Sequence, residues 1–285
     1  MHPLWTTKKL YMKDKRILYV SSEVIPYLPE TEISSMSFEA PRMVNSNKGQ
    51  IRIFMPRYGN INERRHQLHE VIRLSGMNLV INDMDVPLII KVASIPKERM
   101  QVYFIDNDDF FKRKQILHEE DGACCADNDE RSMFFVRGVL ETVKKLGWQP
   151  DLIHCNGWFS GMMALYIKHF YKKDPHFKET KVVYNLFNEG FDQPLDPRFH
   201  EKLKFDGFPK AVLEKSKETD FISFTKLILE HCDGVTVAEP NLDPALRTIF
   251  DEASILKQDY INEEHEAKAF SAFFDRVLDS SVVTN

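Results

Sequence analysis

The chain has 285 residues, 43% hydrophobic and 28% charged, with a formal net charge of −5, the profile of a globular protein long enough for one large domain or two small ones. That charge leaves no basic field to release counterions from nucleic acid, which is excluded as a general partner. No window approaches 18 consecutive apolar residues, so no membrane span is expected.

Cys124, Cys125, Cys155 and Cys232 have neither C-x-x-C spacing nor a disulfide framework, so no metal site is expected and a reduced, cytoplasmic setting is. The opening MHPLWTTKKLYMKDK has basic residues but no apolar core for a signal peptide, and 1–14 reads as an N-terminal extension.

The first strand is expected at Ile17–Ser21, inside the apolar run RILYVSS. The loop SEVIPYLPETEISSM follows, and the first glycine of the chain comes only at Gly49. A diphosphate-cradling loop needs glycines that let backbone N–H groups approach, and it gains from a cation. This loop offers Glu30 and Glu32 instead, so it reads as an acidic connection rather than a phosphate site.

A second strand at Ile51–Met55 ends in the turn MPRYG, and a β-rich block spans Val71–Ile105, with strands at Val71–Leu74, Leu79–Ile81, Leu88–Ser94 and Val102–Ile105. Beyond it, helical periodicity over Glu130–Leu146, Trp158–Tyr171 and Phe221–His231 alternates with strands at Leu152–His154, Lys181–Leu186 and Gly234–Ala238. Phe187–Asp206, rich in Asn, Asp and Pro, reads as a long surface loop. A terminal helix carries Ala267, Phe270, Phe273, Phe274 and Val277, and Ser280–Asn285 reads as a frayed end. Strand–helix alternation predicts an α/β fold: a single Rossmann-like three-layer domain whose mostly parallel sheet brings its early and late strands to one carboxyl edge.

The order strand–SE–x–x–P–loop–helix–strand–MPRYG, then LGWQPDLIHCNGW (Leu146–Trp158), KVVYNL (Lys181–Leu186) and CDGVTVAEP (Cys232–Pro240), resembles the N-terminal domain of the bacterial glycogen and starch synthases. These are glucosyltransferases with two Rossmann-type domains that use ADP-glucose. The resemblance covers about residues 15–245 and implies the fold of the amino half of such an enzyme. Residues 246–285 are then expected to form a C-terminal helical segment, with no counterpart to the family's nucleotide-binding second domain.

The resemblance also locates departures. The family's Lys-Thr-Gly-Gly-Leu is Pro29–Ile33 here; its His-x-His-Asp-Trp is His154, Cys155, Asn156, Gly157 and Trp158; its His-Asn is Tyr184–Asn185. Ligand-binding candidates are therefore Arg57, Tyr58, His154, Asn156, Trp158, Tyr184 and Asn185. Four have a plainer reading: Arg57 holds a loop, His154 is a hydrogen-bonded structural residue, Trp158 is core, and Asn185 caps a turn. No catalytic residue is assigned, because a phenol at Tyr184 does not replace imidazole near neutral pH. Neither acidic cluster, Asp106–Asp109 or Asp127–Glu130, has calcium-loop spacing; they read as a turn and a helix N-terminus.

The functional expectation is a degenerate, non-catalytic half-glycosyltransferase that binds a glucan or a protein partner and needs no cofactor. The alternatives are a glucosyltransferase subunit completed by another chain, or a cleft reassigned to another small ligand. The cleft face is expected to show Tyr27, Phe187, Phe191 and Phe199 beside a Pro29–Met36 loop, and to be covered by self-association or by the terminal segment Ile261–Leu278.

Overall fold

A computed structural model describes residues 12–261 and 263–280. The expectations for residues 1–11 and for the frayed end at 281–285 lie outside the described residues, as does the packing of Ala267.

The chain opens with β1 (Arg16–Ser21), α1 (Glu32–Ser46) and β2 (Gln50–Pro56). A peripheral block follows: α2 (Glu63–His66), β3 (His69–Glu70), β4 (Met77–Ile81), β5 (Met84–Ile95), β6 (Met100–Asp106) and α3 (Asp108–Phe111). Next come α4 (Asn128–Lys145), β7 (Leu152–Asn156), a single 3-10 turn at Trp158–Ser160, α5 (Met162–His169) and β8 (Lys181–Leu186). The last third contains α6 (Phe199–Asp206), α7 (Lys210–Lys215), α8 (Phe221–Leu229), β9 (Gly234–Val237), α9 (Pro244–Glu252), β10 (Leu256–Gln258) and α10 (Glu263–Asp279).

Among the described residues these strands form one sheet in the order β10-β9-β8-β7-β1-β2-β6-β5-β3, with β4 paired to β5. From β10 to β6 every pairing is parallel, and β5 runs antiparallel to β6. Apolar runs such as ILYV in β1 are buried along their length because helices cover both faces of this part of the sheet. β5, towards the edge, alternates buried and exposed residues instead.

The chain leaves the sheet centre in opposite directions: β1 to β2 on one side, β7 to β8 and β9 on the other. Right-handed crossovers then put α1 on one face and α5 and α8 on the opposite one. α1 starts where Thr31 and Ser34 form a reciprocal capping box, so the expected Pro29–Met36 loop is shorter: helix begins at Glu32.

Other expectations are corrected by the structure. Val71–Leu74 is a turn, not a strand; Leu74 N–H returns to Val71 C=O, and the strand at this point is β3, two residues earlier. The supposed loop Phe187–Asp206 ends in a helix, α6. Trp158–Tyr171 is divided into the 3-10 turn at Trp158–Ser160 and α5, which ends at His169. After Ala238, α9 and β10 precede the terminal helix, Asp243 capping α9 with Pro244 in its first turn.

Tyr27, Phe187, Phe191 and Phe199 are all buried, so they form no exposed apolar patch. Phe191 packs edge-on against Trp158 at 4.9 Å, and Phe199 lies 6.0 Å from Phe224. Among the described residues, the terminal helix packs on a face of the sheet and at its amino edge. Its Phe270 and Phe274 rest on His154 of β7, its Phe273 and Val277 on Gly234 of β9, and Leu278–Ser280 reach the opposite, amino edge beside Arg16 and Lys181.

α6 is anchored by a buried cation. Lys202 Nζ lies 2.7 Å from Asp129, 2.9 Å from Glu130 and 2.9 Å from Asp196, joining α6 to the start of α4 and to the preceding loop. Burial pushes the Asp129 carboxyl up to about 6, against the pull of Lys202. Removing the ammonium strands three carboxyl groups around a vacant site. Lys202→Ala is therefore expected to lower stability by about 3–5 kcal/mol in urea denaturation and to open 187–198 to proteolysis; an unchanged midpoint and digestion pattern would show that the cluster holds nothing.

Candidate functional site

In open α/β sheets ligands bind beyond the carboxyl ends of the strands, where chain direction reverses. Here that point lies between β1 and β7, flanked by Ser22–Thr31 and by Gly157–Ser160.

Just below it, the register aligns four residues: Ser21 opposite Asn156, Asn156 opposite Asn185, and Asn185 opposite Thr236. All four side chains are buried, and they form a hydrogen-bonded ladder with Ser37 of α1. Thr236 Oγ1 donates to Asn185 Oδ1 (2.7 Å), Asn185 Nδ2 to Asn156 Oδ1 (3.1 Å), Asn156 Nδ2 to Ser37 Oγ (3.0 Å), and Ser37 Oγ to Ser21 Oγ (2.8 Å). Two of the sequence-derived candidates, Asn156 and Asn185, are thus joined to each other.

His154 lies one row deeper, opposite Tyr19 and Val183. Its ring is fully buried against Tyr19 (5.5 Å), Phe270 (5.8 Å) and Phe274 (5.2 Å), and neither nitrogen has a hydrogen-bond partner. Burial pushes its pKa down to about 3, so it is a neutral aromatic filler rather than a hydrogen-bonded residue. Tyr184, one residue out of step with the ladder, points to the opposite face, where it is buried with its phenol pKa held well above normal by desolvation. Arg57 is engaged elsewhere: its Nε is 2.9 Å from Asp106 and 3.4 Å from Glu63, and Lys91 contacts the same two carboxylates. This ion cluster ties the loop after β2 to the end of β6.

Above the ladder sits a second group, in which Tyr58 and Trp158 are the two candidates read from sequence. Both are buried, and Tyr58 Oη and Trp158 Nε1 lack partners, as do Ser22 Oγ, Arg131 Nη2 and Glu189 Oε2. The Arg131 guanidinium donates to Phe110 C=O (2.9 Å) and Asn128 Oδ1 (2.6 Å) and lies among the rings of Tyr58, Phe111 and Phe159. Desolvation lowers its pKa.

Desolvation, reinforced by the Glu23 carboxyl, pushes Glu189 up to about 8; the backbone and indole N–H groups of Trp158 oppose that rise. Glu23 is itself raised by burial, offset in part by the Thr31 hydroxyl donating at 2.8 Å. The sequence reading missed Glu189, Arg131, Ser21, Ser37 and Thr236. Only Glu189, beside Asn188 and Gly190 after a strand, stood in a segment with a local signal.

Cys125 is buried and its thiol raised chiefly by desolvation. Among the described residues no group of three or more His, Cys, Asp or Glu side chains is arranged to hold a metal ion, and no helix is long and apolar enough to cross a membrane.

Residues 16–256 match the family described as the starch synthase catalytic domain. Glycogen synthase from Chlorobaculum parvum is 33% identical over 239 residues, taking in 80% of this chain and 46% of that protein. Glycogen synthase from Chlorobaculum tepidum is 35% identical over 221 residues, 74% of this chain and 45% of that protein. The chain spans about half the length of the curated relatives it matches. Its fold matches the catalytic domain of starch synthase IV from Arabidopsis thaliana, bound to ADP and acarbose, with a TM-score of 0.69 at 15% identity, over 88% of this chain and 52% of that one.

The burial of His154 has a consequence for pH. Unfolded, the imidazole binds a proton below about 6.5; folded, it does so only near 3. Stability therefore falls as pH drops through that window, by about 2 kcal/mol between pH 7.5 and pH 5 from this group. His154→Phe is expected to remove this share of the acid sensitivity and to raise stability at pH 7.5, by about 1–3 kcal/mol for a buried polar group relieved of desolvation. Urea titrations of both forms at the two pH values check it; a variant as acid-sensitive as the parent would count against the assignment.

Proposed function

The chain belongs to the starch synthase catalytic-domain family, and from that premise we propose that it binds an α-glucan without transferring glucose to it. The observation that carries this reading is the state of the carboxyl edge. Asn156 stands where the family pattern has its second His, Gly157 where it has Asp, and Tyr184 where it has His. The two asparagines satisfy one another and their neighbours in the ladder, and Tyr184 faces the other side of the sheet. His154, the imidazole the pattern retains, is sealed beneath α10 and stays neutral. None of these groups is free to act as a general acid or base on a bound sugar.

The loop after β1 argues the same way. Pro29–Ile33 holds no glycine and presents exposed Glu30 and Glu32, so a nucleotide diphosphate would meet like charge, at about 1 kcal/mol or more for each close pair. Besides the Arg131 guanidinium, the unpartnered hydrogen-bonding capacity at this place is uncharged or weakly charged: the hydroxyls of Ser22 and Tyr58, the indole N–H of Trp158 and the Glu189 carboxyl. That chemistry suits the hydroxyl groups of a neutral carbohydrate.

The test sets affinity electrophoresis through glycogen-containing gels beside an ADP-glucose transfer assay on the same protein. Retarded migration with no transfer above background is expected. Transfer that is abolished by Asn185→Ala but untouched by a surface substitution would overturn the non-catalytic reading. Unretarded migration, with no heat on titration with maltoheptaose, would overturn the glucan.

A further inference from the structure

Gly157 leaves β7 with φ 74° and ψ 164°, a conformation that glycine adopts and other residues reach only under strain. No side chain can be presented from this position without refolding the turn, although it is where the family pattern carries a carboxylate. A Cβ placed on Gly157 would stand 3.2 Å from Glu189 Oε2 and 3.0 Å from Ile33 Cδ1. The Glu189 carboxyl, delivered from the loop after β8, thus occupies the space beyond β7 that a side chain at 157 would enter.

That oxygen is buried and unpartnered, and so are Trp158 Nε1 and Tyr58 Oη nearby. A buried acceptor left unmade costs stability unless something else fills it. The Glu189 carboxyl and the Trp158 indole N–H offer an acceptor and a donor at one place. A sugar hydroxyl, which donates one hydrogen bond and accepts others, matches such a pair.

We propose that Glu189 is a ligand-binding residue of the crevice, its Oε2 accepting a hydrogen bond from a hydroxyl of a bound α-glucan chain, in the place that residue 157 cannot serve. This rests on the glucan-binding reading above. The groups whose charge or N–H acts on Glu189 are Glu23 from the loop after β1, Trp158 from after β7 and Glu239 from after β9, and Glu189 in turn acts on Tyr58 from after β2.

Glu189→Ala and Glu189→Gln would be titrated with maltoheptaose by calorimetry beside the unaltered chain, and their melting temperatures measured at pH 7.5. With the Glu189 carboxyl pushed up to about 8 it is largely neutral at pH 7.5, and loss of a neutral hydrogen bond corresponds to about a 2- to 13-fold change in affinity, from the usual ~0.5–1.5 kcal/mol. Glu189→Ala should weaken binding by a factor in that range of about 2 to 13, and Glu189→Gln, which keeps an acceptor, by less. Both should melt at or above the parent's temperature, since the desolvation of this carboxyl, only partly offset by the Trp158 N–H groups, is a stability cost retained for binding. A residue kept for structure would instead lower the melting temperature on removal.

If the parent binds maltoheptaose and Glu189→Ala binds it equally well, the proposal for Glu189 is overturned while the glucan reading stands. If the parent itself does not bind, both fall.

Discussion

The register of a parallel sheet buried on both faces governs everything at the carboxyl edge. Strands β1, β7, β8 and β9 are covered by helices above and below, so a polar side chain near their ends has no water to turn to. It must find its partner across the sheet, and the pairing of Ser21, Asn156, Asn185 and Thr236 in one row supplies that partner. Each amide in the row both donates and accepts, so the chain of bonds is directional and passes through the α1 hydroxyl of Ser37 to Ser21. A shift of one residue in any strand would turn its polar group to the opposite face and break the row.

This constraint also divides the edge into two layers with different chemistry. The lower layer is saturated and fixes geometry. The upper one, at the reversal of chain direction between β1 and β7, holds polar atoms that nothing in the protein satisfies. Arg131 brings a positive charge beneath it without a carboxylate in contact, screened by the faces of three aromatic rings. Glu23 and Glu189 bring acid above it. Packing keeps the Arg131 guanidinium out of contact with both acids, so no ion pair forms, and burial favours the neutral form of the Glu189 carboxyl.

Much of the fold was legible in the sequence because its signals are local. Continuous apolar runs such as Ile17–Val20 and Val182–Tyr184 suit strands buried on both faces, and the helices between them have the right period. What escaped depended on long-range partners. Phe199–Asp206 is polar enough to read as loop, and its helix is held by Lys202 meeting carboxylates from α4 and the preceding loop. Phe187 and Phe191 read as exposed because they lie among Asn and Asp, yet the Trp158 ring gives Phe191 a place to pack. Val71–Leu74 had the apolar content of a strand, but Ile72 is 83% exposed, and the segment turns instead. At the site, the motif positions of Asn156, Asn185 and Trp158 were readable. The bonding of Asn156 to Asn185 was not, since it follows from register, and Arg131 looked like any other charged residue on a helix.

Residues 157 and 189 constrain each other's substitution. A carboxylate cannot be restored at 157 by a single substitution: the backbone there is set for glycine, and the space is filled by the Glu189 carboxyl and the Ile33 methyl. Nor can Glu189 be lost first without stripping the space beyond β7 of its carboxyl. Any lineage reverting towards the family pattern must cross an intermediate that is either strained or stripped of its carboxyl. The two positions are therefore epistatic, and the backbone turn at Gly157 works as a ratchet holding the present arrangement in place.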